Sequence, residues 1–282
     1  MSLKRNSNEI FVRQVALCHD ALDSSILQTG VLSPLPTSEL LHRMAVANNE
    51  INDLKSIFKF GFNADVNGAE ETIWDQGGIY SYPTSAIQIK VSSTSANDTA
   101  AGTGARTVTV AGLDENYNEA QETVSLNGQT EVLTDTTFIR VFRAFVETAG
   151  SSGTAAGNIY MGNGVVSGGV PATVYAKISL GENQTLMSVW TVPAGYTAYL
   201  SQIDIGTGTA NNNQYIFAKI VNRPFGGVFR SSIKVTIQTG ESVLDFPAPV
   251  VFSEKTDIEA RANSSGSNNA IYANMFIFYK PN

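Results

Sequence analysis

Residues 186–205 read LMSVWTVPAGYTAYLSQIDI, and this stretch decides the class of fold. Val189, Trp190, Thr191 and Val192 are β-branched or aromatic, the types that suit a pleated, half-buried surface. Pro193 has no N–H to give a ladder and Gly195 tolerates positive φ, so Pro-Ala-Gly punctuates the run as a turn. Beyond it, period two puts Tyr199, Ile203 and Ile205 on one face, with Gln202 and Asp204 on the other. The expectation is a hairpin with one buried face. Nothing in it is chemically reactive.

The same pattern of alternation and turns recurs through most of the chain. Charged residues make up only 15% of the 282 residues, while 24 glycines and abundant Ser, Thr and Asn supply turns, which fits an all-β protein. Expected strands lie at 87–92, 106–110, 119–126, 138–147 and 158–161, with turn signals between them at roughly ten-residue spacing. Gly164, Gly168 and Gly169 then suggest a linker ending at Pro171. After it, strands are expected at 216–222, 229–237, 242–243, 250–252, 257–262 and 271–279. The last is apolar on both faces, Ile271, Ala273, Met275, Ile277 and Tyr279 on one, Tyr272, Phe276 and Phe278 on the other. Such a strand should be covered on both sides.

Ahead of the β part, residues 37–58 carry a helical signal. Thr37 or Ser38 can cap it after Pro36. Leu40, Met44, Ala47, Ile51, Leu54 and Phe58 then fall on a heptad seam. The seam has two readings: an amphipathic helix lying on its own β domain, or a helix packing against copies of itself. The expected organisation is therefore an arm and helix over 1–58, a β-sandwich over 59–171, and a jelly-roll-like sandwich over 172–282.

The net charge of −7 lies after residue 60, so nucleic acid is an improbable partner for the β part. No apolar run is long enough to span a membrane, and the N-terminal residues do not read as a signal peptide. His19, His42 and the single Cys18 all precede the strands, which leaves the β part without a base for a Ser-His-Asp or Cys-His device. Asp257 and Glu259 can share one face of a strand, flanked by Lys255 and Arg261. They read as a solvated, compensated face, or less readily as a glycosidase pair. Asp114-Glu115-Asn116-Tyr117-Asn118 reads as an Asx-rich turn rather than a calcium loop. No catalytic residue, metal or cofactor is expected.

The most distinctive loop is Arg223-Pro224-Phe225-Gly226-Gly227-Val228-Phe229-Arg230. Either its phenylalanines are core at an internal corner, or Arg223, Phe225, Phe229 and Arg230 form a partner interface with an arginine facing a partner's carboxylate.

Six motifs together carry a resemblance over residues 59–282: EETIWDQGG at 70–78, GLDENYN at 112–118, GENQTL at 181–186, VPAGYT at 192–197, the 223–230 loop, and EKTDIEAR at 254–261. The chain resembles structural proteins of tailed bacteriophages common in marine phage genomes. The resemblance implies a virion component made in the host cytoplasm and brings no catalytic residues. The expected role is a non-enzymatic component attached to the capsid as cement or decoration, or to the neck or tail. Its expected partners are copies of itself, as a trimer held by the helix, and capsid or tail proteins. The alternatives are a receptor- or glycan-binding module, in which Trp74, Tyr80, Tyr82 and Trp190 stack on sugars, and a glycan hydrolase.

Overall fold

The computed structural model describes residues 44–48, 50–51, 53–208, 214–266 and 269–282. The chain divides into two compact units, Met1–Lys55 and Ser56–Asn282. In the first, the described residues form one helical turn at 44–47, closed by Asn48 N–H donating to the Met44 carbonyl at 2.9 Å. The chain then turns, with Asp53 at φ 65°. Leu40, like Cys18, His19 and His42, lies outside the described residues.

The expected helix does not reach Phe58, because Lys55–Val66 is strand β1. Two signals compete there. The Asn- and Asp-rich stretch 48–53 favours turns over helix. Beyond it, Phe58, Phe60 and Phe62 alternate with Lys59, Gly61 and Asn63, a period of two that overlaps the end of the heptad pattern.

The strands that follow are β2 Glu71–Thr72, β3 Ile87–Ser93, β4 Ala105–Leu113, β5 Glu119–Ser125, β6 Val132–Phe138, β7 Arg140–Ala149, β8 Ile159–Ser167 and β9 Val170–Ile178. After them come β10 Val189–Thr191, β11 Tyr196–Thr207, β12 Ile216–Arg223, β13 Arg230–Ile237, β14 Gly240–Phe252, β15 Asp257–Ser264 and β16 Asn269–Pro281. They build four sheets, in two sandwiches.

One sandwich pairs the sheet β1-β16-β11-β14 with the sheet β10-β15-β12-β13, to which β2 adds at β15. Within these sheets β12 pairs β13, β11 pairs β14, β10 pairs β15 and β1 pairs β16. Those pairs nest like one long hairpin that has been rolled so that alternate pairs fall in opposite sheets. That is the eight-stranded jelly roll. Its core is filled by Trp190, Leu200, Ile203, Ile205, Ile220, Ile258, Met275 and Ile277. The other sandwich, β6-β3-β8-β9 over β5-β4-β7, encloses Ile89, Val91, Val108, Val110, Phe138 and Met161. It is inserted whole between the first and second of the jelly roll's eight strands, after β2 and before β10.

This connectivity moves the expected boundaries. The jelly roll takes its first strand from residues 55–66, on the far side of the insertion, and does not start at 172. The expected linker is a hairpin: β8 pairs β9 through Gly168 and Gly169, at φ 58° and 81°, and Ser167 faces Val170. Two consecutive positive φ values are what a two-residue hairpin turn demands, so the glycines mark a tight connection.

The stretch 186–205 is not a hairpin either. β10 belongs to one sheet and β11 to the other, so Pro193-Ala194-Gly195 carries the chain across the core. A bulge at Ser201 shifts the register of β11 against both neighbours. Ala198 and Leu200 are therefore buried together with Ile203 and Ile205, and Tyr199 turns to the outer face with Phe278, opposite which it pairs.

Candidate interaction site

β15 is central to the site. Its residues Ile258, Ala260 and Ala262 point into the jelly-roll core, which by alternation sends Asp257, Glu259 and Arg261 to the other face. That face is covered by the inserted sandwich, with β2 extending the sheet beside Arg261 and Ala262, and Asp257 and Glu259 are buried, at 2% and 0% exposure. The expected solvated face is thus compensated, but its two carboxylates are buried.

Asp257 holds two arginines. Arg140, the first residue of β7 on the inserted sandwich, donates Nε to Oδ1 at 2.7 Å and Nη2 to Oδ2 at 3.1 Å. Arg223, opposite Asp257 in the β12–β15 register, donates Nη2 at 2.6 Å and Nε at 2.9 Å to Oδ2. Thr191 Oγ1 donates to Oδ1 at 2.7 Å. Arg140 also donates Nη1 to the Ile139 carbonyl at 2.7 Å and the Pro83 carbonyl at 3.2 Å. Burial disfavours its charge, but Asp257 outweighs that and holds its pKa above the ordinary value.

A second cluster lies along the same strand. Arg261 pairs with Glu259 and, through Nη1 at 3.2 Å, with Glu70, which also pairs with Lys219. Thr72 Oγ1 donates to Glu259 Oε2 at 2.7 Å. Burial raises the Glu259 pKa, opposed by Arg261 and Thr72. Rings and guanidiniums interleave between the clusters. Arg140 and Arg223 lie 5.0 and 4.6 Å from the Tyr82 ring centre, and Arg223 and Arg261 lie 4.7 and 4.5 Å from that of Phe229.

Above this layer opens a cleft of about 340 Å³. Arg140, Arg223 and Asp257 form its base, while Tyr117, Phe225 and Lys255 form its walls. Tyr117 and Phe225 meet edge to face at 5.7 Å, and Lys255 Nζ stands 5.5 and 5.3 Å from their ring centres.

The 223–230 loop thus divides its residues. Arg223 is committed to Asp257 within the chain, and Phe229 packs on Tyr82 at 5.7 Å. Phe225 is 65% exposed at the loop tip with Val228 at 68%, and Arg230 is exposed on β13. The internal-corner reading holds for Arg223 and Phe229, while Phe225 and Val228 stand exposed and no partner is seen against Arg230 among the described residues. Of the seam residues, Met44 and Ala47 are exposed on the helical turn, Ile51 and Leu54 are half-buried, and Phe58 lies on β1.

Trp74, Tyr80 and Trp190 are buried, at 3%, 3% and 0% exposure, so they present no platform for a sugar. Asp114 spends Oδ1 on the N–H groups of Asn116 and Asn118, at 2.8 and 2.9 Å, as an Asx turn does. No group of three or more His, Cys, Asp or Glu with metal-site geometry occurs among the described residues.

Arg140, Tyr117 and Lys255 were not legible as site residues. Arg140 has the one available signal, a charge set between Ile139 and Val141 in an otherwise apolar strand start. Their convergence depends on the insertion, which no local pattern reports.

The outer face of the sheet β1-β16-β11-β14 is a further surface. Phe58 and Phe276 are 43% and 42% exposed with ring centres 4.5 Å apart, and Phe60 adjoins Phe58 at 5.8 Å. Val251, paired with Tyr199, extends the apolar area at 59% exposure.

Comparison with protein-family models and with curated proteins found no match. Among solved structures, the chain is similar to one described as cowpea mosaic virus top component, naturally occurring empty particles, at 11% identity and TM-score 0.20, over 68% of this chain and 80% of that one. It is similar to the structure of infectious bursal disease virus Gt strain at 11% identity and TM-score 0.19, over 80% and 75% of the two chains. It is similar to the STIV MCP at 10% identity and TM-score 0.20, over 80% and 97%. Likeness of this degree carries no argument about function. No described helix is long and apolar enough to cross a membrane, which says nothing of membrane β-barrels.

Proposed function

We propose that the chain is a non-enzymatic structural component of a tailed-phage virion, attached to the capsid as cement or decoration or to the neck or tail. It works by contacts with copies of itself, as a trimer, and with other virion proteins. The observation that carries this reading is the exposed aromatic face of Phe58, Phe60, Phe276 and Val251 on a jelly roll whose strongest charged groups are sealed in ion pairs. An apolar face of this kind is an interface more often than a site of chemistry. Jelly rolls also build viral capsid domains, which supports the reading by analogy of fold alone. The phage motifs at 70–78, 112–118 and 254–261 support the particle.

Light scattering of the purified chain tests association: an oligomer is expected, and a monomer at high concentration would remove the proposal. Density for the two sandwiches on an intact particle would then separate head from neck and tail.

A further inference from the structure

Two backbone outliers meet in the cleft. Among the described residues the non-glycine positions with positive φ are Asp53, Tyr117, Asn183 and Lys255. Asp and Asn tolerate the left-handed region; a tyrosine or a lysine enters it less often and at a cost. Tyr117 and Lys255, at φ 65° and 58°, belong to different sandwiches, and the lysine ammonium lies 5.5 Å from the tyrosine ring. Each is held by the other sandwich's framework or its own turn: the Tyr117 carbonyl accepts from Ala194 N–H at 2.9 Å, and Lys255 N–H donates to the Val192 carbonyl at 2.8 Å. Strain of this kind persists where the surroundings over-determine it, and it gathers at binding sites.

The charges point the same way. The cleft sets Arg140, Arg223 and Lys255 against the single carboxylate of Asp257, on a chain of net charge −7. Asp257 is already taken by both arginines, and Lys255 forms no ion pair among the described residues. The cleft is therefore a cationic recess with one uncommitted ammonium between two rings. Phe225 stands exposed at its rim, next to Gly226 and Gly227, and Val228 is exposed further along the same loop.

The geometry points to this cleft as a docking site for an acidic side chain of a partner protein, its carboxylate meeting Lys255 between Tyr117 and Phe225 and its apolar neighbours covering Phe225 and Val228. An apolar loop beside a half-buried cation suits a protein segment better than a sugar, whose hydroxyls would strand Phe225 and Val228 against polar groups. The assignment rests on the cleft and does not depend on which particle, if any, the chain belongs to.

The test uses the full chain and a capped peptide, acetyl-Leu-Asp-Glu-Phe-amide, with its Asn/Gln twin, followed by chemical-shift titration. The acidic peptide is expected to bind saturably and the neutral twin about tenfold or more weakly, the factor that about 1.4 kcal/mol of lost pairing represents. Lys255→Asn removes the charge with a residue that tolerates the left-handed conformation, so it should fold as the parent does and lose the same factor. Phe225→Ala should weaken binding, and Arg230→Ala, outside the cleft, should not. Equal binding of both peptides, parent-like binding by Lys255→Asn, or no binding at all overturns the proposal. So does binding of glucuronic acid in the cleft where the peptides fail, which would make the occupant an acidic sugar.

Discussion

Asp257 and Lys59 show what burial does to single charges in this chain. Asp257 pairs with two arginines from different sandwiches, so Asp257→Asn leaves both facing each other at the base of the cleft. Breaking such a pair from one side costs about 3–5 kcal/mol. Urea denaturation of the variant should show a loss of that order, and a change within about 0.5 kcal/mol would show that water already reaches the layer. Lys59 is 5% exposed, and its ammonium donates to the Phe142 carbonyl beside the Phe142 ring. Burial, aided by the charge of Arg143, brings its pKa from 10.5 down to about 7. Between those two values the unfolded chain binds a proton that the folded chain does not. Stability contributed by this group therefore rises with pH from about 7 to 10.5 and is flat below that window. Lys59→Met should abolish the rise and be more stable than the parent at pH 6, as read from melting temperatures across pH. A parent-like slope in that variant would assign the pH dependence elsewhere.

At the scale of elements, alternation located most strands, and its failures have identifiable causes. The strand at 271–279 was legible with both its faces, and β16 buries the Ile271–Tyr279 set while turning Phe276 outward. β1 was hidden under a heptad pattern that shares Phe58 with it. β6 and β9 were missed because Thr-rich VLTDTTF and the Gly-Gly approach to β9 resemble loop composition. The face assignment in β11 failed at Ser201, since a bulge inserts one residue without any signature in the residue types. This bulge is also the element most exposed to a test. Deleting Ser201 removes the extra residue, so that plain alternation keeps Ala198, Leu200, Ile203 and Ile205 together on the core face while β11 pairs β16 without a break. The variant should therefore melt cooperatively, with a melting temperature within a few degrees of the parent's; loss of a cooperative transition would show that the fold needs the bulge itself. Of the site, the 223–230 loop and the Asp257–Glu259–Arg261 run stood out in the sequence, whereas Arg140 showed only as a charge between Ile139 and Val141 and Tyr117 carried no local mark of its role.

For the whole molecule, the jelly roll is closed by a pairing across the inserted sandwich, and its outer β1–β16 face is left aromatic. If that face joins copies of the chain, Phe58→Ser with Phe276→Ser should shift the light-scattering mass toward a monomer while the melting temperature holds within a few degrees. An unchanged mass would place the self-contact on another surface. Both substituted side chains are more than a third exposed, so the fold itself should lose little.

The amino-acid sequence by itself determined that the chain is β, where most strands run, and that its loops carry an arginine–aromatic cluster, because period-two alternation and turn chemistry are local. Tertiary structure alone decided that Pro193–Gly195 crosses between sheets, that β1 completes a jelly roll around an insertion, and that Arg140, Arg223, Tyr117 and Lys255 share one cleft. Those facts follow from which strand edges pair over long separations, and that is set by the sum of many side-chain contacts across the core and by no single stretch of residues.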